Sequence, residues 1–277
     1  MPALLTARLQ PTARGPIEVC DTGGDGPVVL VVHGMPGDWR QGQTVAEDLA
    51  PQARVLLVSR PGYGRTPLSS GRAPAAAADL YAALLDALLV DRAVVLGISG
   101  GGPSSFAFAQ QHPDRCAGLL LCCALQPTLM PVPAAMRRLA AVPGLWWALA
   151  GLSRLSRPPA PDPATFTEAE RLQLEDPPVR DALLRFTRQT PSWTSGRGLR
   201  NDVRQLQAAL PLSAAVVPAV VLHGDLDEVV PLAHAQDYAA HLPGARLEVL
   251  PGLGHAVPLF ARARLAELLS SLAGVAR

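Results

Sequence analysis

The stretch Ala93-Val94-Val95-Leu96-Gly97-Ile98-Ser99-Gly100-Gly101-Gly102-Pro103 carries a buried apolar run into the start of a helix within a few residues. Ala93 to Leu96 is short, continuous and rich in β-branched residues, as a fully covered strand is. Ser104 to Gln111 has helical composition. Ser99 therefore stands at a strand-to-helix turn at the carboxyl end of a parallel strand, where open α/β sheets bind their ligands. Glycines at 97 and 101 allow a sharp, strained backbone that exposes the serine hydroxyl and lets another molecule come close. The order Gly97-x-Ser99-x-Gly101-Gly102 is not the dinucleotide fingerprint, and no lysine follows it as in a phosphate loop.

On both sides of this turn the same rhythm continues. Val28 to Val32, Arg54 to Val58, Leu119 to Cys123, Val217 to Leu222 and Leu247 to Leu250 read as further strands. Gln43 to Leu49, Ala75 to Leu89, Ala233 to His241 and Arg262 to Leu272 read as helices between them. Strands alternating with helices imply crossover units and a mostly parallel sheet. Leu4 to Gln10 and Ile17 to Cys20 could add an antiparallel edge hairpin. The rhythm breaks between Gln126 and Pro211, where prolines crowd in and strands vanish. There Ala134 to Val142, Leu145 to Ser156, Pro177 to Arg188 and Gly198 to Leu210 have helical composition, with a linker at Pro158 to Pro163. The expected organisation is one α/β core domain, 1–125 and 212–277, interrupted by a helical cap at 126–211. A chain of 277 residues is long enough for one domain with such an insertion.

Composition excludes several functions. The net charge is +1, so no strong field draws phosphate backbones or anionic lipid, and nucleic acid is not an expected partner. All 24 basic residues are arginine, which rules out a Schiff-base lysine or a lysine-bearing phosphate loop. The four cysteines form no CxxC pair and the six histidines no HExxH, so no metal site is expected and the thiols read as buried. Met1 to Gln10 lacks a basic start followed by an apolar stretch, which predicts a cytoplasmic location. Leu139 to Leu152, broken by Pro143 and Gly144, falls short of the roughly 20 residues that span a bilayer, so no membrane insertion is expected.

A nucleophilic serine that attacks a carbonyl needs donors for the developing negative charge, each often worth about 3 kcal/mol. The backbone N–H of Gly100, next after the serine, is one expected donor. The other is Met35, in the loop His33-Gly34-Met35-Pro36-Gly37 after the early strand Val28 to Val32. Together with Arg60-Pro61-Gly62-Tyr63-Gly64 and the Ser99 turn, this loop resembles the α/β-hydrolase superfamily in chain order. The resemblance covers nearly all of the chain outside the insertion and implies an eight-stranded, mostly parallel sheet flanked by helices. It also implies an acid after a late strand and a histidine after the last. His223-Gly224-Asp225-Leu226-Asp227-Glu228 resembles the acid loop and selects Asp227, with Asp225 and Glu228 as rivals. Pro251-Gly252-Leu253-Gly254-His255 supplies His255 as the base.

These parts predict a cofactor-independent serine hydrolase acting on an ester or related acyl bond of a small molecule. The same set would serve a carbon–carbon bond hydrolase or an amidase resembling prolyl aminopeptidases, and the fold also hosts non-catalytic receptors. The Met35 position departs from the His-Gly-Gly-Pro-Gly form of the aminopeptidases. Trp146, Trp147 and Phe186 are candidates for lining an apolar pocket in the cap. Oligomeric state is left open.

Overall fold

The structure, a computed structural model of the chain, describes residues 5–50, 52–131, 134, 138, 162–189, 196–206 and 213–274. Its strands are β1 (Ala7–Gln10), β2 (Ile17–Asp21), β3 (Val28–Val32), β4 (Arg54–Val58), β5 (Ala93–Ile98), β6 (Cys116–Cys122), β7 (Ala219–Gly224) and β8 (Arg246–Leu250). They form one eight-stranded sheet in the order β1-β2-β4-β3-β5-β6-β7-β8. β1 and β2 pair antiparallel, as β2 does with β4, and every other neighbour is parallel. The apolar runs explain this: a strand buried on both faces has no polar alternate, and parallel strands are covered on both faces.

The helices are α1 (Gln43–Leu49), α2 (Pro74–Ala87), α3 (Gly102–Gln111), α4 (Glu168–Gln173), α5 (Pro177–Gln189), α6 (Gly196–Gln205), α7 (Ala233–Ala240), α8 (Val257–Phe260) and α9 (Arg262–Leu272). α2, α3 and α7 cover one face, packing Tyr81, Phe106 and Tyr238 on Leu30, Val32, Val95 and Leu121. α1 and α9 cover the other, packing Leu49 and Leu268 on Val29, Val31, Leu96 and Leu120. The alternation of Val29 and Val31 against Leu30 and Val32 is the period of two of a strand. Among the described residues no helix is long and apolar enough to cross a membrane.

β3 lies between β4 and β5, so the chain leaves it first in one direction and then in the other. The loops after β3 and β5 consequently open a crevice at the carboxyl edge of the sheet. Val32 sits beside Gly97 in that register, which brings the loop starting at His33 against the Ser99 turn. The approach is close: a Cβ on Gly101 would lie 2.4 Å from the Val32 carbonyl oxygen and 2.8 Å from that of His33. Gly101→Ala is therefore expected to cost about 2–3 kcal/mol, as other overpacked sites do, in urea denaturation. A loss below about 0.5 kcal/mol, the range of an ordinary surface change, would contradict this packing.

Several boundaries differ from the sequence expectations. β7 starts at Ala219 instead of Val217 because Pro218 has no N–H for the ladder, although Val217 stays buried. β5 runs on through Gly97 and Ile98, and β6 begins early, at Cys116, which pairs with Ala93. α4 was not anticipated; Thr167 and Glu170 form a reciprocal capping box at its start, a signal legible in Thr167-Glu168-Ala169-Glu170. Apart from Ala134 and Arg138, the helices expected at Ala134 to Val142 and Leu145 to Ser156 lie outside the described residues, as does the end expected for the last insertion helix at Leu210. α4, α5 and α6 all lie between β6 and β7, in the segment expected to interrupt the sheet.

Candidate active site

Ser99 follows the last residue of β5 and holds a left-handed backbone, with φ of +48°, a conformation that costs a non-glycine residue about 1–2 kcal/mol. What surrounds it keeps it there. Its carbonyl accepts from Leu125 N–H at 2.9 Å. The space beside Gly97, where a Cβ would stand 2.7 Å from the Ser105 side chain, is filled by α3. The turn thereby directs the Ser99 hydroxyl out of the sheet edge.

Opposite it stands His255, in the loop between β8 and α8. Its Nε2 lies 3.0 Å from Ser99 Oγ and its Nδ1 2.7 Å from Asp227 Oδ2. Asp227, in the loop after β7, is itself fixed: Oδ1 accepts from Val229 N–H at 3.0 Å and Val230 N–H at 2.8 Å. Burial alone would raise the Asp227 carboxyl above the ordinary carboxylate range. The His255 hydrogen bond and charge, Val230 N–H and His223 outweigh it and hold the group below that range. An ionised carboxylate only accepts, so Nδ1 of His255 carries the ring proton and Nε2 presents a lone pair to the serine hydroxyl.

Both rivals of Asp227 are elsewhere. Asp225 Oδ1 accepts from Gly252 N–H at 2.7 Å and shapes the histidine loop from behind, and Glu228 is exposed. The insertion grips the same loop: Glu170 Oε1 accepts from Gly254 N–H at 2.9 Å, and Thr167 Oγ1 donates to the Gly252 carbonyl at 2.6 Å. Sequence reading singled out neither Thr167 nor Glu170, since the second role of a capping box, holding a loop some 80 positions away, has no local signature.

On the other side of Ser99, Met35 and Gly100 meet. A Cβ on Gly100 would lie 2.6 Å from Met35 Cβ and 3.3 Å from Met35 N, so glycine is what allows the two backbones to come together. Gln41 braces the Met35 loop, accepting from Gly34 N–H at 2.9 Å and donating to the Pro36 carbonyl at 2.7 Å. A cavity of about 50 Å³ borders Met35 and Gly100, walled by Tyr81, Pro103, Leu125 and Asp202 among others.

Of the aromatic residues expected to line a pocket, Phe186 instead packs against the apolar cluster that includes Trp39 and Phe260 and does not border this cavity. Its helix, α5, is amphipathic and turns that ring onto the core. Trp146 and Trp147 lie outside the described residues. Among the described residues one group could hold a metal: Cys123 Sγ, an Asp227 oxygen and a His255 nitrogen lie within 4.8 Å of one another. A hydrogen bond with Cys122, together with burial, pushes the Cys123 thiol well above its ordinary value, so it stays protonated while Asp227 and His255 bind each other.

The family described as alpha/beta hydrolase fold matches residues 27–261. The uncharacterized hydrolase YcgS of Bacillus subtilis is 28% identical over 248 residues, covering 84% of this chain and 86% of its own length. A 2-hydroxy-6-oxo-2,4-heptadienoate hydrolase of Pseudomonas putida is 38% identical over 106 residues, 36% of this chain and 38% of its own length. Among solved structures, an alpha/beta hydrolase fold protein from Nakamurella multipartita superposes with a TM-score of 0.76 at 32% identity, covering 97% of this chain and all of that one.

Proposed function

Because the chain belongs to the α/β-hydrolase-fold family, we propose that it is a serine hydrolase that cleaves a carboxylic ester or related acyl bond through an acyl-enzyme on Ser99. The observation that carries this reading is the unbroken hydrogen-bonded chain from Ser99 Oγ through His255 to Asp227. As Ser99 Oγ attacks the substrate carbonyl, His255 Nε2 takes its proton, and Asp227 stabilises the imidazolium that results. The carbonyl oxygen, now negative, is received by the N–H groups of Met35 and Gly100. His255 then returns its proton to the leaving oxygen. In the second half, water attacks the acyl carbonyl with His255 again as base, and Ser99 is restored. The described part of the insertion grips the histidine loop through Thr167 and Glu170, which supports a cap role for it.

The test is covalent labelling with a fluorophosphonate followed by peptide mass spectrometry. A single adduct on Ser99 is expected, and an unlabelled Ser99 in folded protein would dismiss the reading in favour of a ligand receptor. We assign the acyl group to the cavity beside Met35 and Gly100. A water needs about 10–15 Å³ of such volume, so about 50 Å³ holds some four heavy atoms. Acetyl to butyryl p-nitrophenyl esters should be turned over with kcat/KM at least about tenfold above the octanoyl ester. A flat or rising series would refute this placement of the acyl group.

The partial similarity to the 2-hydroxy-6-oxo-2,4-heptadienoate hydrolase of Pseudomonas putida favours a second reading, hydrolysis of a carbon–carbon bond beside a ketone. There the same serine attacks a ketone and the leaving group departs as a carbanion that must be protonated. A vinylogous diketone acid run beside the esters separates the two.

A further inference from the structure

The peptide unit joining Gly34 and Met35 has two ends. One is the Met35 N–H; the other is the Gly34 carbonyl, and in a trans peptide the two point in opposite directions. Whatever holds the carbonyl therefore aims the N–H.

Two donors hold it. Arg60 Nη2 donates to the Gly34 oxygen at 3.1 Å. His33 Nδ1 lies 2.6 Å from the same oxygen, and its Nε2 accepts from the Arg60 backbone N–H at 2.9 Å. An accepting Nε2 leaves the single proton of the neutral ring on Nδ1. His33 is neutral because burial, and then the nearby Arg60 charge, hold it well below the ordinary histidine value.

The Arg60 guanidinium is buried and is held from the insertion. Asp202, on α6, takes it in a two-pronged pair, Nη1 to Oδ1 at 3.1 Å and Nη2 to Oδ2 at 2.7 Å. The Tyr63 hydroxyl donates to Asp202 Oδ2 at 2.6 Å, and the guanidinium lies 4.8 Å from the Tyr63 ring centre. α6 comes this near because Gly198 lacks a side chain: a Cβ there would stand 2.5 Å from the Tyr63 ring, and one on Gly62 would stand 2.8 Å from Gly198 Cα. Arg60 and Asp202 border the same cavity as Met35 and Gly100.

We propose that Asp202 and Arg60 are positioning residues that set the direction and donor strength of the Met35 N–H, so that the oxyanion site is complete only while α6 is seated on the Arg60 loop. A cation hydrogen-bonded to an amide carbonyl draws electron density from its N–H and strengthens that donor, more so where water is excluded. Asp202 keeps the guanidinium on Gly34. Without its charge, Arg60 is a buried cation with no anionic partner among the described residues, free to turn toward solvent and release the carbonyl. The inference rests on the reading of Ser99 as nucleophile.

If the pair only fastened α6, its loss would move stability and KM. If it aims the donor, the loss falls on binding of the tetrahedral state. The experiment compares wild type, Ser99→Ala, Asp202→Asn, Tyr63→Phe and Arg60→Lys. It measures kcat and KM for p-nitrophenyl acetate, the Ki of a trifluoromethyl ketone whose hemiketal oxyanion on Ser99 mimics the tetrahedral state, and Tm. Asp202→Asn should lower kcat about 30-fold and raise the ketone Ki by a similar factor, with KM within about threefold; removing such a donor outright costs about 100- to 1,000-fold. Arg60→Lys, whose ammonium cannot span Asp202 and the Gly34 carbonyl together, should lose about tenfold in both. Tyr63→Phe should lose about threefold in both, and it decides alone should Asp202→Asn fail to fold.

Unchanged kcat and Ki, or a rise in KM alone, would overturn the proposal. If wild type turns over no ester and the ketone forms no adduct on Ser99, or if Ser99→Ala matches wild type, the nucleophile reading fails and this inference falls with it. If both references behave and Asp202→Asn and Tyr63→Phe equal wild type, only the positioning role falls.

Discussion

Replacing Ser99 by alanine is expected to lower kcat for p-nitrophenyl acetate by about a millionfold, the loss typical of deleting a nucleophile that works as one unit with its base. The substitution removes a single atom. Cβ remains, in the place where it confronts Gly34, so the oxyanion donors keep their geometry and a residual rate above water persists. Stability should change by no more than about 0.5 kcal/mol, since among the described residues the Ser99 hydroxyl bonds only the part-exposed His255. Ser99→Gly sharpens the experiment. Glycine tolerates φ of +48° without the clash that alanine and serine share, so this variant should be more stable by about 1 kcal/mol while equally inactive. A dead and stabilised glycine variant would identify the turn as strain kept for reactivity. Activity within tenfold of wild type in purified Ser99→Ala would remove Ser99 from the chemistry.

What could be read from the sequence was what is local. The uninterrupted apolar runs of β3 and β5 imply strands covered on both faces, and the structure has them in parallel register. The residues predicted to act together each follow a strand, and a parallel sheet delivers all such loops to one edge. The resemblance to the α/β-hydrolase superfamily could therefore group Ser99, Asp227 and His255 from the loops that carry them, and the structure brings them within hydrogen-bonding distance. The choice of Asp227 over Asp225 rests on the resemblance alone, because both stand in the same turn; side-chain direction separates them, Asp227 facing His255 and Asp225 facing Gly252.

Asp202 was invisible for a different reason. It sits in a helix of ordinary composition and pairs with a residue 142 positions earlier, a tertiary contact with no periodicity to betray it. Phe186 packs on the core cluster where a pocket wall is expected, because an aromatic ring on an amphipathic helix is equally consistent with packing inward and with lining a pocket. The missed helix α4 was legible from Thr167 and Glu170.

Asp227→Asn should lower kcat about ten-thousandfold, and the surrounding bonds dictate why. Asp227 Oδ1 accepts from the N–H groups of Val229 and Val230, which only an oxygen can satisfy. The asparagine carbonyl is thereby held on those two groups, and its NH₂ occupies the place of Oδ2, facing His255 Nδ1. A donor there requires Nδ1 to accept. The single proton of the neutral ring then moves to Nε2, the atom that should receive the serine proton. The base is lost while the shape of the site is kept, so KM should stay within about threefold and fluorophosphonate labelling should slow in step with kcat. Stability carries a second signature. The carboxyl is held below its ordinary range in the folded chain, so it contributes stability above the unfolded value, about pH 3.9, and that contribution is lost as pH falls through the lower, folded value. Asp227→Asn should lack this acid-sensitive part of the stability curve. Asp225→Asn is the control, since its amide oxygen can still accept from Gly252 N–H, and its kcat should stay within about threefold. If Asp225→Asn were the inactive variant and Asp227→Asn the active one, the assignment of the acid would be reversed.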